Sequence, residues 1–358
     1  MSKTSSILFV CGSTNFGGAG KIVSYVSNLF EEKFGNVNII SFKENESIEA
    51  GSFRKIINLG FKSHNKFERI SAIIRLRKLI KSLSPDIIYT FVSEQCVMTR
   101  IATLGLNVKF ISAERGDPYS LNFIWKTLTK WAYSSSDYCI FQTKEAQEFF
   151  SQKVRRKSIV IPNPFFTKTK VQPYLGERKK TIVSAGRFVP EKGFDLLIKA
   201  FKIIHDQYSD YRLIIYGKGN LLQNYQELAN DLGISEFIEF PGYCNNFPEA
   251  IREDGIFVLS SLLEGIPNIL LEAMSIGIPT VSSNCSPGGP KLLTNNGERG
   301  LLFKTGDVDD MTKCILTLIE NSGLYEKLRI KGPEVIEEFS VEKISNVWVS
   351  LHNQLCNS

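Results

Sequence analysis

The 358-residue sequence predicts two open α/β domains, each built on a parallel sheet and together facing a central cleft. Short apolar runs alternate with helical segments through both halves. The chain is long for a single core. A polar, aperiodic stretch, KTKVQPYLGERKK, interrupts the alternation shortly after Phe166 and reads as a linker. The expected division is a first domain over 1–166, a linker over 167–180, a second domain over 181–340 and a closing helix over 341–358.

Composition narrows the class. A hydrophobic fraction of 43% with 11% aromatics is globular rather than disordered. The apolar run in MSKTSSILFVCG is too short for a signal peptide, and no later run reaches spanning length. Seven cysteines, an odd number without a C-x-x-C pair, argue for reduced thiols in the cytoplasm. Three scattered histidines leave no His/Cys cluster for zinc, so no metal site is expected. Through Phe166 there are 23 Lys+Arg against 13 Asp+Glu, whereas the remainder has 20 against 24. A basic first half suits an anionic partner such as a membrane surface, a lipid diphosphate or nucleic acid, the alternative being an ordinary solvated surface.

The elements follow in order. Ser6 to Cys11 is a continuous apolar run, as in a central parallel strand. It enters the glycine-rich loop GSTNFGGAGK and a helix from about Ile22 to Lys33, an arrangement that cradles ligands in open α/β sheets. A Walker A loop is excluded, because Asn15 stands where its first glycine belongs and Ile22 replaces its Ser/Thr. No G-x-G-x-x-G is present either.

Val37 to Phe42 reads as the second strand, followed by polar, basic chain to about Asn65. Phe67 to Leu83 is helical and carries Arg69, Arg75, Arg77, Lys78 and Lys81. Its apolar residues cover too much circumference for a clean stripe. Packing on the sheet with a basic outer edge is favoured over grazing a membrane. Strands over Pro85–Phe91 and Val108–Ala113 come next. The second runs into Glu114-Arg115-Gly116-Asp117-Pro118, where such sheets bind ligands; an Arg115–Asp117 ion pair bracing the loop is the alternative. Asp137 to Gln142 and Ser158 to Ile161 complete the first set.

Thr181 to Ala185 opens the second half. Arg187 and Lys192 then flank a turn into a helix reaching about Tyr208, a spacing at which two cations can clamp a diphosphate. His205 falls on that helix's polar side, where solvent exposure is expected. Arg212 to Tyr216 is a strand ending in Gly217-Lys218-Gly219, and Phe237 to Phe240 another. Phe257 to Leu259 leads into a loop with Glu264, then a helix opened by Pro267 and stopped by Gly277. Its first backbone N–H groups form an anion site, with Glu272 about one turn along, placed to accept ribose hydroxyls. The plainer alternative has Glu272 complementing the helix dipole and Glu264 solvated. Pro279 to Ser283 is the next strand, Gly300-Leu-Leu-Phe a late one, and Asp307 an N-cap. Val341 to Leu355 is an apolar-periodic helix.

The run EGIPNILLEAMSIGIPTV, with seven residues between Glu264 and Glu272, resembles the donor-site motif of the retaining family 4 glycosyltransferases. AGRFVPEKG, SSNCSPGGPKLL, IPNPF and GLLF resemble further segments of that family, most like bacterial O-antigen, capsule and exopolysaccharide enzymes. The resemblance is strongest from Thr181 to Lys304 and looser from Ser6 to Phe166. It implies the GT-B fold, two Rossmann-like domains with the last helix crossing back to the first, and transfer from a UDP-sugar with retention.

In the implied site Arg187 and Lys192 hold the pyrophosphate, joined by the N–H groups of Asn268, Ile269 and Leu270. Glu272 grips the ribose and Glu264 the donor sugar, while Gly217 lies near base and ribose. Gly17 and Gly18 let the first loop approach the phosphates, although Gly20 and Lys21 replace the family's usual Glu and Arg. Glu114, Arg115 and Asp117 face the acceptor side. The implied acceptor is a polyprenyl diphosphate-linked glycan at the inner membrane face, reached by a cytoplasmic, peripherally bound enzyme needing neither metal nor cofactor; nucleic acid is not an expected partner. A nucleotide-sugar epimerase and a non-catalytic nucleotide-sugar or anionic-lipid binding protein are the alternatives.

Overall fold

The computed structural model describes residues 5–12, 18–43, 56–166, 173–174 and 176–357. It divides into two compact units, Met1–Asn163 with Glu342–Ser358, and Pro164–Val341.

The first unit carries a seven-stranded sheet. Its strands are β1 (Ile7–Cys11), β2 (Val37–Ser41), β3 (Ile56–Asn58), β4 (Ile87–Phe91), β5 (Lys109–Glu114), β6 (Tyr138–Phe141) and β7 (Ser158–Val160). They lie in the order β3-β2-β1-β4-β5-β6-β7, every pairing parallel. Ile7 pairs with Val37 on one side and Ile87 on the other, so strand order reverses at β1/β4. Because side chains alternate along a strand, β1 feeds two cores. Ile7, Phe9 and Cys11 face the helix Gly18–Phe34 and the last helix, Val341–Asn357. Leu8 and Val10 face Ala72, Leu76 and Ile80 of the helix Lys66–Leu83. Both sheet faces are covered, which is why the strands read as unbroken apolar runs. Trp348 is fully buried and meets Phe30 and Phe91, each at 6.3 Å between ring centres.

The second unit carries six parallel strands, β8 (Thr181–Ala185), β9 (Arg212–Tyr216), β10 (Ile238–Gly242), β11 (Ile256–Leu259), β12 (Thr280–Ser283) and β13 (Leu301–Phe303). Their order, β10-β9-β8-β11-β12-β13, reverses at β8/β11. Ile182 and Val258 pack with the helix Phe194–Gln207; Val183, Ala185, Phe257 and Leu259 pack with the helix Asn268–Ser275. Asp307 caps the helix Val308–Glu320 by accepting from the Asp310 N–H at 3.1 Å.

Several expectations need correction. β3 lies inside the stretch read as irregular, and the helices Ser93–Ala102 and Phe123–Ser134 were not expected. His205 is buried, its ring 3.9 Å from that of Phe237, rather than solvated. The outer face of Lys66–Leu83 is not simply basic, since Phe67, Ile70 and Ile74 are exposed on it. The described end of the presumed linker is held within the second unit. Arg178 donates to the carbonyls of Arg252, Asp254, Ile276 and Gly277.

Candidate functional site

In open parallel sheets, ligands bind beyond the carboxyl ends of the strands where strand order reverses. In the second unit that place is the pair of loops leaving β8 and β11, and both hold candidates named from the sequence. The β8 loop carries Arg187 and Lys192, with a 3-10 turn over Pro190–Lys192. Gly193 follows at φ +60, and a Cβ there would lie 2.5 Å from the Ser260 carbonyl oxygen. Only glycine lets the two loops approach this closely.

The loops are then joined. The Leu262 N–H donates to the Glu191 carbonyl at 2.8 Å, and the Ser260 hydroxyl to the Lys192 carbonyl at 2.8 Å. The Lys192 ammonium is in contact with Glu264 Oε1, which also accepts from the Ser261 hydroxyl at 2.9 Å. The two charged side chains are only 17% and 13% exposed, so this is a largely desolvated pair rather than a surface one. The Ser283 hydroxyl on β12 donates to the Ser261 carbonyl at 2.5 Å and fixes the loop from the other side. The donor roles of these serines depend on β8, β11 and β12 lying side by side.

Arg187 is exposed, and its guanidinium has no partner among the described residues. Beyond Glu264, Pro267 caps the helix Asn268–Ser275. The N–H groups of Asn268 and Ile269 have no acceptor among the described residues, whereas the Leu270 N–H already donates to the Pro267 carbonyl at 3.1 Å. Of the three N–H groups expected to receive an anion, two are thus without an acceptor among the described residues. Glu272 is half-buried on the same helix. Gly217, just past β9, takes φ +153, and a Cβ there would lie 1.9 Å from the Gly186 carbonyl oxygen. The backbone thus runs close against the β8 loop.

In the first unit Gly17 lies outside the described residues and Gly18 begins the helix Gly18–Phe34. Glu114 and Arg115 are both buried at the end of β5. Glu114 accepts from the Ser93 hydroxyl, from the Tyr133 hydroxyl at 3.0 Å, and from the N–H groups of Gly116 and Arg115 at 2.9 and 3.1 Å. Burial raises its pKa despite these bonds. Arg115 donates to the Ile161 carbonyl at 2.7 Å and lies over the Trp348 ring at 5.4 Å; burial lowers its pKa to about 10. Asp117 instead caps the turn Pro118–Ser120 through the Tyr119 N–H at 2.9 Å. An Arg115–Asp117 ion pair is not formed, because Arg115 turns into the interior. Among the described residues no three His, Cys, Asp or Glu side chains form a metal-holding group.

A family model described as glycosyl transferases group 1 matches residues 166–335, and one described as glycosyl transferase 4-like matches residues 22–143. The chain belongs to the group 1, family 4-like glycosyltransferases. An uncharacterized glycosyltransferase of Haemophilus influenzae is 28% identical over 95% of this chain and 97% of its own length. A second similar protein, from Campylobacter jejuni, is 22% identical over 98% of this chain and 99% of its own. It is named GalNAc-alpha-(1->4)-GalNAc-alpha-(1->3)-diNAcBac-PP-undecaprenol alpha-1,4-N-acetyl-D-galactosaminyltransferase. Among solved structures, Anabaena HepE in complex with UDP superposes with a TM-score of 0.80 at 17% identity, covering 99% of this chain and 100% of that one. The glycosyltransferase therefore has the fold of this family, GT-B, with two parallel-sheet α/β domains.

Proposed function

We propose that this glycosyltransferase moves a sugar from a UDP-sugar of the galactose, N-acetylgalactosamine or glucose type to a hydroxyl of a polyprenyl diphosphate-linked glycan. The transfer retains the anomeric configuration and serves bacterial surface-polysaccharide synthesis. The observation that carries the reading is the convergence of Arg187, the Lys192–Glu264 pair and the helix starting at Asn268 at the strand-order reversal of the second sheet. The similar Campylobacter protein is named for a PP-undecaprenol acceptor and the superposing Anabaena protein holds UDP, which supports both substrate classes.

In the reaction the bond between the sugar's anomeric carbon and the diphosphate oxygen breaks, and one from the acceptor oxygen forms on the same face. The acceptor proton passes to the departing diphosphate. The chemical difficulty is charge developing on that diphosphate, and preorganised cations and N–H groups answer it. Arg187 supplies a planar fork, Lys192 a point charge, and Asn268 and Ile269 two backbone donors. Glu264, by pairing with Lys192, fixes the ammonium before the donor arrives and presents its remaining oxygen to the sugar hydroxyls. Glu272 holds the ribose, with Gly217 beside the base. These fixed charges perform the role without a metal. The enzyme acts at the inner face of the plasma membrane, where its lipid-linked acceptor lies.

The test is a transfer assay with UDP-galactose, UDP-N-acetylgalactosamine and UDP-glucose on polyprenyl diphosphate-linked acceptors, with product anomers assigned by NMR. An α-linked product from an α-donor, formed equally in the presence of EDTA, is expected. An inverted product, or activity abolished by EDTA and restored by a divalent ion, contradicts the mechanism.

A further inference from the structure

Six of the fifteen large apolar side chains exposed among the described residues lie on two helices of the first unit. On Lys66–Leu83 they are Phe67, Ile70 and Ile74, 85%, 57% and 52% exposed; on Phe123–Ser134 they are Phe123, Ile124 and Trp131, 84%, 68% and 39% exposed. The first three are spaced three and then four residues apart, so they share one helix face. That face is opposite Ala72, Leu76 and Ile80, which pack on the sheet, so the helix is apolar on both its inner and outer sides. The two N-terminal ends meet where the Arg69 guanidinium lies 4.9 Å over the Trp125 ring. Asn65 and Asn122 cap them, at 2.8 and 3.1 Å, which places Phe67 and Phe123 in the two first turns.

The charges of the two helices are mostly cationic, and Glu94, the carboxylate beside their junction, is paired with Arg69 at 3.0 Å. Lys66–Leu83 carries six cations and a single carboxylate, Glu68, which is paired with Arg75 at 2.7 Å. Phe123–Ser134 carries two lysines and no acid. Exposed Lys78 and Lys81 continue the Phe67–Ile70–Ile74 face along the helix, and exposed Lys130 shares the face of Phe123. Large exposed apolar side chains cost free energy unless something covers them. Apolar groups flanked by exposed lysines, of which Lys130 lies 4.7 Å over the Phe149 ring, fit the layered chemistry of an anionic bilayer, acyl chains below and phosphates at the rim. Among the described residues no helix is long and apolar enough to cross a membrane, so such contact is a surface one.

We infer that these two helices form a monotopic docking face for anionic lipid bilayers, inserting Phe67, Ile70, Ile74, Phe123 and Ile124 while Lys66, Lys78, Lys81 and Lys130 meet phosphates. The inference deepens the membrane-facing reading above by naming the surface, and rests on that reading only for its biological purpose.

The test uses the full chain, with flotation on phosphatidylcholine vesicles with and without phosphatidylglycerol. Wild type floats with the anionic vesicles and loses binding as salt rises. Phe67→Ser with Phe123→Ser lowers the partition coefficient by about tenfold or more. Lys78→Gln and Lys81→Gln each lower it by about fivefold at low salt. All four side chains are exposed, so circular dichroism and the thermal shift on adding UDP stay at wild-type values. Wild type that ignores anionic vesicles, or variants that float as well as wild type, overturn the inference. So does self-association in sedimentation that the double Phe variant abolishes while vesicle binding is unchanged, since the face then covers a second copy. Because flotation requires no sugar transfer, failure of the donor reading shows separately, as an absent UDP shift in a protein that still floats.

Discussion

Lys192 and Glu264, 72 residues apart in sequence, form an ion pair between the two loops that leave adjacent strands β8 and β11. Neither loop could hold its charged side chain in this place alone. The pairing requires the β8/β11 neighbourhood, the glycine at 193 and the serine braces from positions 260, 261 and 283. It presets a cation where the diphosphate of a donor is proposed to lie.

Lys192→Ala removes that cation and leaves Glu264 largely buried without its counter-charge. Turnover falls by about a hundredfold or more, the scale of losing one preorganised donor. Stability drops by about 1–3 kcal/mol, between an exposed and a fully buried pair. Glu264→Gln, which keeps shape and removes the negative charge, restores part of that stability in the Lys192→Ala background. Urea unfolding of the four proteins in the double-mutant cycle measures the coupling; additive losses would show that the pair contributes nothing to the fold.

Arg187 separates activity from stability more cleanly, because it is exposed and its guanidinium has no partner among the described residues. Arg187→Ala should lower kcat by about a hundredfold or more while leaving unfolding free energy within about 0.5 kcal/mol. Arg187→Lys should recover only part of the rate, since an ammonium lacks the bidentate fork. Full activity in the alanine variant would remove Arg187 from the mechanism.

Gly217→Ala places a methyl 1.9 Å from the Gly186 carbonyl oxygen in a backbone conformation that L side chains rarely adopt. We expect a loss of about 2 kcal/mol or more, read from the urea midpoint, with weaker nucleotide binding in the protein that remains folded. An unchanged midpoint would mean that the strand β9 loop yields freely.

His352 gives a pH dependence. Its Nδ1 faces the Tyr89 hydroxyl at 2.9 Å, its ring lies against Phe30 and Phe34, and Nε2 is 3.4 Å from the Cys356 thiol. Burial lowers its pKa from 6.5 to about 4. The unfolded chain thus binds this proton more readily than the folded one between those values. The stabilisation is complete above pH 6.5 and is lost as pH falls toward 4, by up to about 3 kcal/mol. Chemical unfolding at stepped pH should show a shallower decline over this window in His352→Gln than in wild type; parallel curves would contradict the assignment.

The strands were legible because a sheet covered on both faces writes each one as an apolar run: β8 and β9 were bounded to the residue. β3, only Ile-Ile-Asn at an edge, offers too short a run to stand out from the polar chain before it. The helix Ser93–Ala102 hid for a different reason. It buries Ser93, Gln95 and Thr99 alongside Cys96, Val97 and Met98, so no apolar stripe marks it. His205 was misplaced because the ring that covers it, Phe237, comes from a distant stretch of chain. In the candidate site, residue types and loop positions could be read locally. The Lys192–Glu264 contact and the inward turn of Arg115 depend on which strands become neighbours, and a single sequence does not print strand order.

The central claim is that the second unit binds a UDP-sugar at the β8/β11 reversal, and thermal unfolding with and without UDP tests it most directly. At a hundred times the dissociation constant, bound ligand stabilises the folded state by about 2.7 kcal/mol. The account predicts an upward shift of Tm with UDP in wild type, much reduced in Arg187→Ala and Glu272→Ala although both fold. No shift with UDP or any UDP-sugar, or an equal shift in all three proteins, would contradict it.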